Sequence, residues 1–326
     1  MMMNRRSALI TGAAALANGV SSAADQPTPA QPQSGGFETI PLWPAAPPGG
    51  DEAWSRLRAR GERMLAMDDH ALMSIADPQL RAVRPLKPDG SALLIIPGGG
   101  YLRENIEGEG TAVAHRFADA GITAFALLYR LPGEGWSNRA DVPLVDAQRA
   151  LRLIRSNARS YAIDPARIGV LGFSAGGHLA ASLATRADAH LYAQTDDADR
   201  ADAHPNFFAV GYPVVTMLKP FAHEASREHL FGSEVGDAVR AAYSCERLVT
   251  DATPPAFLFA AADDPDVPVE NTLMLHASLR AHRVGTELHV FERGGHSFAL
   301  GSGNSPVSAW PDLFLRWGRN EGYFRG

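Results

Sequence analysis

The residues with the clearest chemistry are those around Ser174, which has Gly172 two positions before it and Gly176 two positions after it. An apolar run that begins at Ile168 precedes this segment, and helix-forming residues follow it from Leu179. The pattern therefore predicts a strand that turns sharply into a helix, with the serine at the apex. The glycines suit this turn because a Cβ atom at either position would collide with neighbouring backbone. A serine presented in this way is a candidate nucleophile.

A nucleophilic serine needs a base to take its proton and a carboxylate to orient that base. Among the eleven histidines, His296 is the favoured base because it follows a predicted strand in a glycine-flanked loop, from which an imidazole can reach across the sheet. Asp263, Asp264 and Asp266 follow the preceding predicted strand. We favour Asp264 as the acid because it directly precedes Pro265 and lies three positions before Val267. Asp263 is the alternative, and either aspartate could instead cap the next helix.

Acyl transfer also needs two N–H donors that bind the oxyanion. Ala175 is the first candidate because it follows the nucleophile and begins a helix whose positive dipole end points at the reaction centre. A run of three glycines at 98–100 supplies the second candidate, with Gly99 and Gly100 favoured. The alternative is a phosphate-binding loop, but the G-x-G-x-x-G spacing and a following Walker lysine are lacking.

Strands and helices alternate from residue 92 onward, which predicts a mostly parallel sheet with helices on both faces. The predicted strands are 92–96, 122–129, 168–173, 207–215, 255–261 and 287–291. The predicted helices are 108–120, 143–158, 175–184, 269–282 and 308–319. The candidate residues above all follow predicted strands, and the carboxyl ends of parallel strands lie at one edge of a sheet. We therefore expect these residues to meet.

Three segments lie outside this alternation. Residues 78–85 are consistent with a short strand near a sheet edge, and residues 186–206 with a polar excursion loop. Residues 51–73 are charged and tolerate a helix. Candidate inward-facing positions in that last segment are Trp54, Leu57, Met64 and Leu65.

Composition narrows the function classes. The 326 residues carry a net charge of −6 and no Lys/Arg block, which argues against a nucleic-acid or anionic-membrane surface. The one cysteine, Cys245, excludes an intramolecular disulfide, and we interpret it as structural. His223 and His229 are six positions apart, so they do not share a helix face as metalloprotease ligands must. We predict no metal and no cofactor.

The N-terminal residues predict export. Residues 1–24 combine Arg5 and Arg6 with a mildly apolar run and small residues at the end, which is typical of a cleaved signal peptide. The paired arginines favour twin-arginine export, and a Sec signal is the alternative. The apolar run is too short for a stable membrane anchor. Residues 25–36 form a Pro/Gln/Gly linker, and residues 37–326 form the predicted catalytic domain of a periplasmic or secreted protein.

The whole pattern resembles exported α/β-hydrolases of the acetyl-xylan-esterase and BD-FAE-like carbohydrate esterase type. The matching segments are 42–44, 96–101, 109–110, 121–125, 129–132, 172–180, 211–214, 253–255, 263–268 and 294–298. The resemblance implies an α/β-hydrolase fold, a triad of Ser174, His296 and Asp264, and deacetylation of plant polysaccharide such as acetylated xylan. Ser297 departs from the pattern, which usually has glycine there; a serine could narrow the pocket beside the base, and the triad is unaffected.

Relatives with this fold also cleave other bonds. A feruloyl esterase, a general short-chain carboxylesterase and a peptidase-like hydrolase are therefore alternatives. A non-catalytic carbohydrate-binding relative is a third hypothesis, although it would be expected to lack a triad member. The sequence leaves the oligomeric state open.

Overall fold

An eight-stranded sheet is the centre of the fold in the computed structural model, which describes residues 36–60, 63–64 and 71–325. The strands are β1 (Glu38–Pro41), β2 (Arg63–Met64), β3 (Leu72–Met73), β4 (Gln79–Val83), β5 (Ala92–Ile96), β6 (Thr123–Leu128), β7 (Ile168–Phe173), β8 (Phe207–Gly211), β9 (Ala256–Ala261) and β10 (Thr286–Phe291). The order across the sheet is β1-β4-β6-β5-β7-β8-β9-β10, and β2 pairs with β3 separately. Only β4 runs against its neighbours in the large sheet; all other pairings there are parallel.

Helices cover both faces of this sheet. They are α1 (Asp51–Arg60), α2 (Ala112–Ala118), α3 (Val142–Ser156), α4 (Ser174–Thr185), α5 (Glu224–Phe231), α6 (Asp237–Ala242), α7 (Glu270–Ala281) and α8 (Trp310–Asn320). Helices α3, α4 and α7 pack on one face, and α2 and α8 pack on the other. Every residue of β5 to β9 is buried, because both faces of these strands are covered. The predicted α/β-hydrolase architecture is confirmed.

The structure differs from the sequence-based elements in three ways. It adds β1, α5 and α6, which are short and lack a clear hydrophobic period. Strand β8 ends four residues earlier than predicted, because the chain turns at Tyr212 with φ at +37° and Pro213 has no N–H to donate. A π-helical turn (Ile106–Thr111) replaces the start of the predicted helix 108–120.

The segments outside the alternation have distinct structures. Strand β4 confirms the short strand predicted within 78–85. In residues 51–73, α1 ends at Arg60 with Leu57 buried and Trp54 partly buried, Met64 lies in β2, and Leu65 is outside the described residues. The 186–206 segment is a loop that contains one 3-10 turn, Asp197–Arg200.

A buried cation fixes that loop. Arg149 of α3 has a nearly fully buried side chain, and its guanidinium lies 2.8 Å from the carboxylate of Asp199. The same guanidinium pairs with Asp196, and its Nε donates to the Leu42 carbonyl. The polar composition of the loop therefore serves to hold it on α3.

A second buried ion pair joins the end of β6 to α3. The side chains of Arg130 and Asp146 are fully buried, and Asp146 Oδ1 lies 2.8 Å from Arg130 Nη2. The indole N–H of Trp43 also donates to Asp146, at 2.9 Å. We expect Asp146→Ala to lower the free energy of unfolding by about 3–5 kcal/mol, because it leaves the Arg130 charge buried without a partner.

Urea denaturation followed by far-UV circular dichroism measures this loss. The control is Asp312→Ala, which removes the partner of Arg116 at a mostly exposed site. Exposed pairs contribute little, so the control should lose less than about 1 kcal/mol. Equal losses in the two variants would contradict the argument.

The predictions for residues 1–24 and for nearly all of 25–36 lie outside the described residues, and the domain boundaries remain predictions. Within the described ranges, no helix has both the length and the apolar character needed to cross a bilayer.

Candidate active site

Ser174 lies where β7 turns directly into α4, and its backbone has the left-handed φ of +51°. A Cβ on Gly172 would lie 2.2 Å from the carbonyl oxygen of Gly176. A Cβ on Gly176 would lie 2.3 Å from the carbonyl oxygens of Ile96 and Pro97. The predicted reason for both glycines is therefore confirmed: the strained turn is close-packed backbone on both sides of the serine.

The three residues of the predicted triad are in hydrogen-bond contact. His296 Nε2 lies 2.8 Å from Ser174 Oγ, and His296 Nδ1 lies 2.7 Å from Asp264 Oδ2. The other oxygen of Asp264 accepts the backbone N–H groups of Asp266 and Val267, both at 2.9 Å. With Nδ1–H donated to the carboxylate, Nε2 is left to accept the serine proton. This is the arrangement that acyl transfer through serine requires.

Asp263, the alternative acid, has different hydrogen-bond partners. Its Oδ1 accepts the backbone N–H groups of Gly294 and Gly295, both at 2.8 Å. The N–H of Gly295, followed by that of Gly294, holds the pKa of Asp263 below its ordinary value. Asp263 thus shapes the histidine loop (residues 294–299) but does not contact His296. In the same loop Ser297 is exposed and has a φ of +53°, a conformation that glycine adopts without strain.

The glycine loop (residues 98–100) lies against the nucleophile. A Cβ on Gly98 would be 2.9 Å from Ser174 Cβ. Gly99 and Gly100 have positive φ values of +127° and +66°, and a Cβ on Gly99 would be 2.2 Å from the Arg103 carbonyl oxygen. The N–H of Gly98 is already donated to Glu109, so it cannot serve substrate. Gly99 and Gly100, with Ala175 at the start of α4, remain the predicted oxyanion donors.

A neutral histidine ties the end of the glycine loop to α4. The Tyr101 hydroxyl donates to His178 Nδ1 at 2.7 Å, and His178 Nε2 donates to the Tyr243 carbonyl at 2.7 Å. Burial lowers the pKa of His178 to about 4. His178, on α4, is therefore a packing residue, and its contacts fix the loop beside Ser174.

Helix α5, which the sequence does not predict, places His229 beside the glycine loop, and His223 directly precedes this helix. His229 Nδ1 donates to the Gly100 carbonyl at 2.9 Å, and His223 Nδ1 lies 2.8 Å from Ser226 Oγ. Burial lowers the pKa of His223, and the nearby His296 lowers it further. In the sequence, the signal for this arrangement is the pair His223 and His229, six positions apart. Within the described residues, no cluster of three or more His, Cys, Asp or Glu side chains is placed to hold a metal ion.

Cys245 is buried behind α4. Its Sγ lies 3.5 Å from Ser182 Oγ, and burial raises the pKa of the thiol to about 12. The thiol is therefore neutral and unreactive at ordinary pH, which supports the structural interpretation.

The fold and this serine-centred site define an α/β-hydrolase. The BD-FAE family model matches residues 85–279, which is more than half of the chain, and the protein belongs to the BD-FAE family. The predicted resemblance is therefore confirmed.

Among curated relatives, the chain is similar to endo-1,4-beta-xylanase B of Butyrivibrio fibrisolvens, with 35% identity over 64% of this chain and 32% of the relative. It is also similar to the acetylxylan esterase of Xylanibacter ruminicola, with 29% identity over 69% of this chain and 44% of the relative. The chain thus spans less than half the length of either relative.

Solved structures of esterases are also similar to this chain. The acetyl ester-xyloside bifunctional hydrolase of Caldicellulosiruptor lactoaceticus matches with a TM-score of 0.72 and 32% identity, over 89% of this chain and 98% of that one. The carboxylesterase Cest-2923 of Lactobacillus plantarum matches with a TM-score of 0.63 and 27% identity, over 81% of this chain and 98% of that one.

Proposed function

We propose that the protein is a serine carboxylesterase that removes O-acetyl groups from plant polysaccharide such as acetylated xylan. The observation that carries the proposal is the unbroken chain of hydrogen bonds from Ser174 through His296 to Asp264. Two similar proteins are named for acetylxylan or acetyl ester-xyloside hydrolysis, which supports the substrate class. No cofactor is needed for this reaction.

Acylation begins at the serine. Ser174 Oγ attacks the acetyl carbonyl carbon while His296 Nε2 takes the hydroxyl proton, and Asp264 stabilises the imidazolium that forms. The N–H groups of Ala175 and of Gly99 or Gly100 bind the negative oxygen of the tetrahedral intermediate. The intermediate collapses as the bond to the sugar oxygen breaks, and His296 returns the proton to that oxygen.

Deacylation repeats these steps with water. His296 takes a proton from water, and the resulting hydroxide attacks the acetyl-serine carbonyl. The second tetrahedral intermediate then collapses, the bond between Ser174 Oγ and the acetyl carbon breaks, and His296 returns the proton to Ser174 Oγ as acetate is released.

Release of acetate from acetylated xylan tests the proposal directly. The purified protein is assayed beside Ser174→Ala, with p-nitrophenyl acetate, butyrate and ferulate as a panel of small esters. Acetate release that disappears in the variant supports a polysaccharide deacetylase. Cleavage of the small esters alone would keep the serine mechanism and move the substrate elsewhere, to the feruloyl or short-chain alternative.

Export is a further part of the proposal, supported by the basic pair Arg5 and Arg6 and the apolar run that follows. Cell fractionation after expression of the full chain tests it. A shortened protein in the periplasm or medium supports export, and a full-length protein in the cytoplasm contradicts it. Changing both arginines to lysine distinguishes twin-arginine from Sec export, because only the former depends on the paired arginines.

A further inference from the structure

A buried carboxylate that takes no part in the steps above lies behind the glycine loop. Glu109 is 1% exposed and belongs to the π-helical turn between β5 and α2. Such turns are rare and occur frequently at functional sites. A Cβ on Gly110 would lie 2.8 Å from Ile106 Cδ1 and 3.4 Å from Ala126 Cβ, so this turn packs closely against β6. The local sequence therefore places a charged residue where an apolar one would be expected.

The two oxygens of Glu109 contact two different parts of the site. Oε2 accepts the Gly98 N–H at 2.7 Å, and Oε1 accepts the Tyr212 hydroxyl at 2.9 Å. The Tyr212 hydroxyl in turn accepts the backbone N–H of Ala299 at 3.1 Å. One carboxylate thus connects the glycine loop, beside the nucleophile, to the histidine loop, which carries the base.

Tyr212 also connects this hydrogen-bond network to the imidazole of His296. Its ring packs edge-on against the His296 ring, with 5.0 Å between the ring centroids. The titratable groups that face His296 are Asp264, Tyr212, Glu109 and, at the start of α5, His223. Burial lowers the pKa of His223, which disfavours a second positive charge there, and the carboxyl groups on this side are those of Asp264 and Glu109.

The hydrogen bonds favour the ionised form of Glu109, because both of its oxygens accept and neither donates. Burial raises the pKa of Glu109 overall, and the Gly98 N–H, the Tyr212 hydroxyl and a positive charge on His296 oppose this rise. The interaction with His296 is reciprocal: a carboxylate here stabilises the imidazolium that forms during acylation.

We propose that Glu109 is a positioning residue, which holds the glycine loop and the histidine loop in register and places a negative charge behind the imidazolium of His296. The inference rests on the proposed esterase function. It concerns a residue that acts through Gly98 and Tyr212, because Glu109 itself is covered and does not reach substrate.

Glu109→Gln tests both parts of this role with little change in shape. We expect kcat for p-nitrophenyl acetate to fall by about 10–100-fold through loss of loop geometry, with KM changed by less than about threefold. A carboxylate stabilises a positively charged imidazolium near it, so its removal should move the acid limb of the pH profile of kcat/KM to lower pH by about half a unit or more.

Tyr212→Phe is the matched control, because it keeps the ring against His296 and the Glu109 carboxyl group but removes the hydroxyl link. We expect its kcat to fall by less than about 10-fold and its acid limb to move less than that of Glu109→Gln. The two variants therefore separate the positional effect from the effect of charge.

Counting reactive serines separates positioning from mere misfolding. Paraoxon phosphorylates the serine and releases one p-nitrophenolate per reacted site, so rates can be given per competent site. A Glu109→Gln protein with wild-type kcat per site and an unmoved acid limb would overturn the inference while leaving the esterase function intact. A wild-type protein that hydrolyses no ester would overturn the proposed function, and this inference with it.

Discussion

We expect Ser174→Ala to lower kcat for ester hydrolysis by at least about 10⁴-fold, because the covalent route is lost and only binding and the oxyanion donors remain. The oxygen removed is the one that lies 2.8 Å from His296 Nε2. The remaining rate should no longer show a burst of p-nitrophenol, since no acyl-enzyme accumulates. Rapid-mixing kinetics with p-nitrophenyl acetate measure both effects.

The fold should survive this change. Ser174 is buried, and alanine fits within the same space without a new contact. Both residues adopt a φ of +51° at similar cost, so the midpoint of thermal unfolding should move by only a few degrees. A variant with this unchanged stability and a near-normal rate would exclude Ser174 as the nucleophile.

The Asp264→Asn substitution should have the second large effect. We expect it to lower kcat/KM by about 10³–10⁴-fold. The Asp264 oxygen that accepts the N–H groups of Asp266 and Val267 fixes the orientation of the asparagine. Its NH₂ group must then face His296 Nδ1, which becomes the acceptor. The imidazole proton moves to Nε2, and the histidine can no longer take the serine proton.

Asp263→Asn is the matched control for this change. Asparagine retains the one oxygen that accepts the N–H groups of Gly294 and Gly295, so the histidine loop keeps its contacts. We expect a loss of less than about 10-fold in kcat/KM. Steady-state kinetics on p-nitrophenyl acetate compare the two variants, and a reversed order of losses would assign the acid to Asp263.

The choice between these neighbouring aspartates shows where sequence information ends. Both follow β9, and their local sequence is nearly equivalent. They differ in which backbone N–H groups they meet, and those of Gly294 and Gly295 belong to a loop about thirty positions further along the chain. The proline after Asp264 favours the correct orientation, but the contact that decides it is tertiary.

The strands and the nucleophile could be predicted because their geometry depends on residues close by in the sequence. A fully buried parallel strand such as β5 or β9 appears as a short apolar run, because both of its faces are covered. The turn at Ser174 depends on glycines two positions away, so neighbouring residues determine its geometry. Local causes of this kind leave local patterns in the sequence.

The glycine loop could be predicted only in part from the sequence. Its positive φ values follow from its composition, yet the sequence does not show that the Gly98 N–H is already bound to Glu109, eleven residues later. Helix α5 likewise has no strong period, because it is short and largely polar. The contact of His229 with Gly100 is visible only in the folded chain.

The position of β10 at the end of the sheet has a consequence for folding. Its only strand partner in the described sheet is β9, and the histidine that follows it meets a serine 122 residues earlier in the chain. Contacts of such long sequence separation carry a large loop-closure cost and slow folding. During synthesis the serine turn therefore emerges well before its base, as an ordinary hydroxyl. Recovery of hydrolysis during refolding would accordingly report the docking of the last strand rather than the collapse of the core.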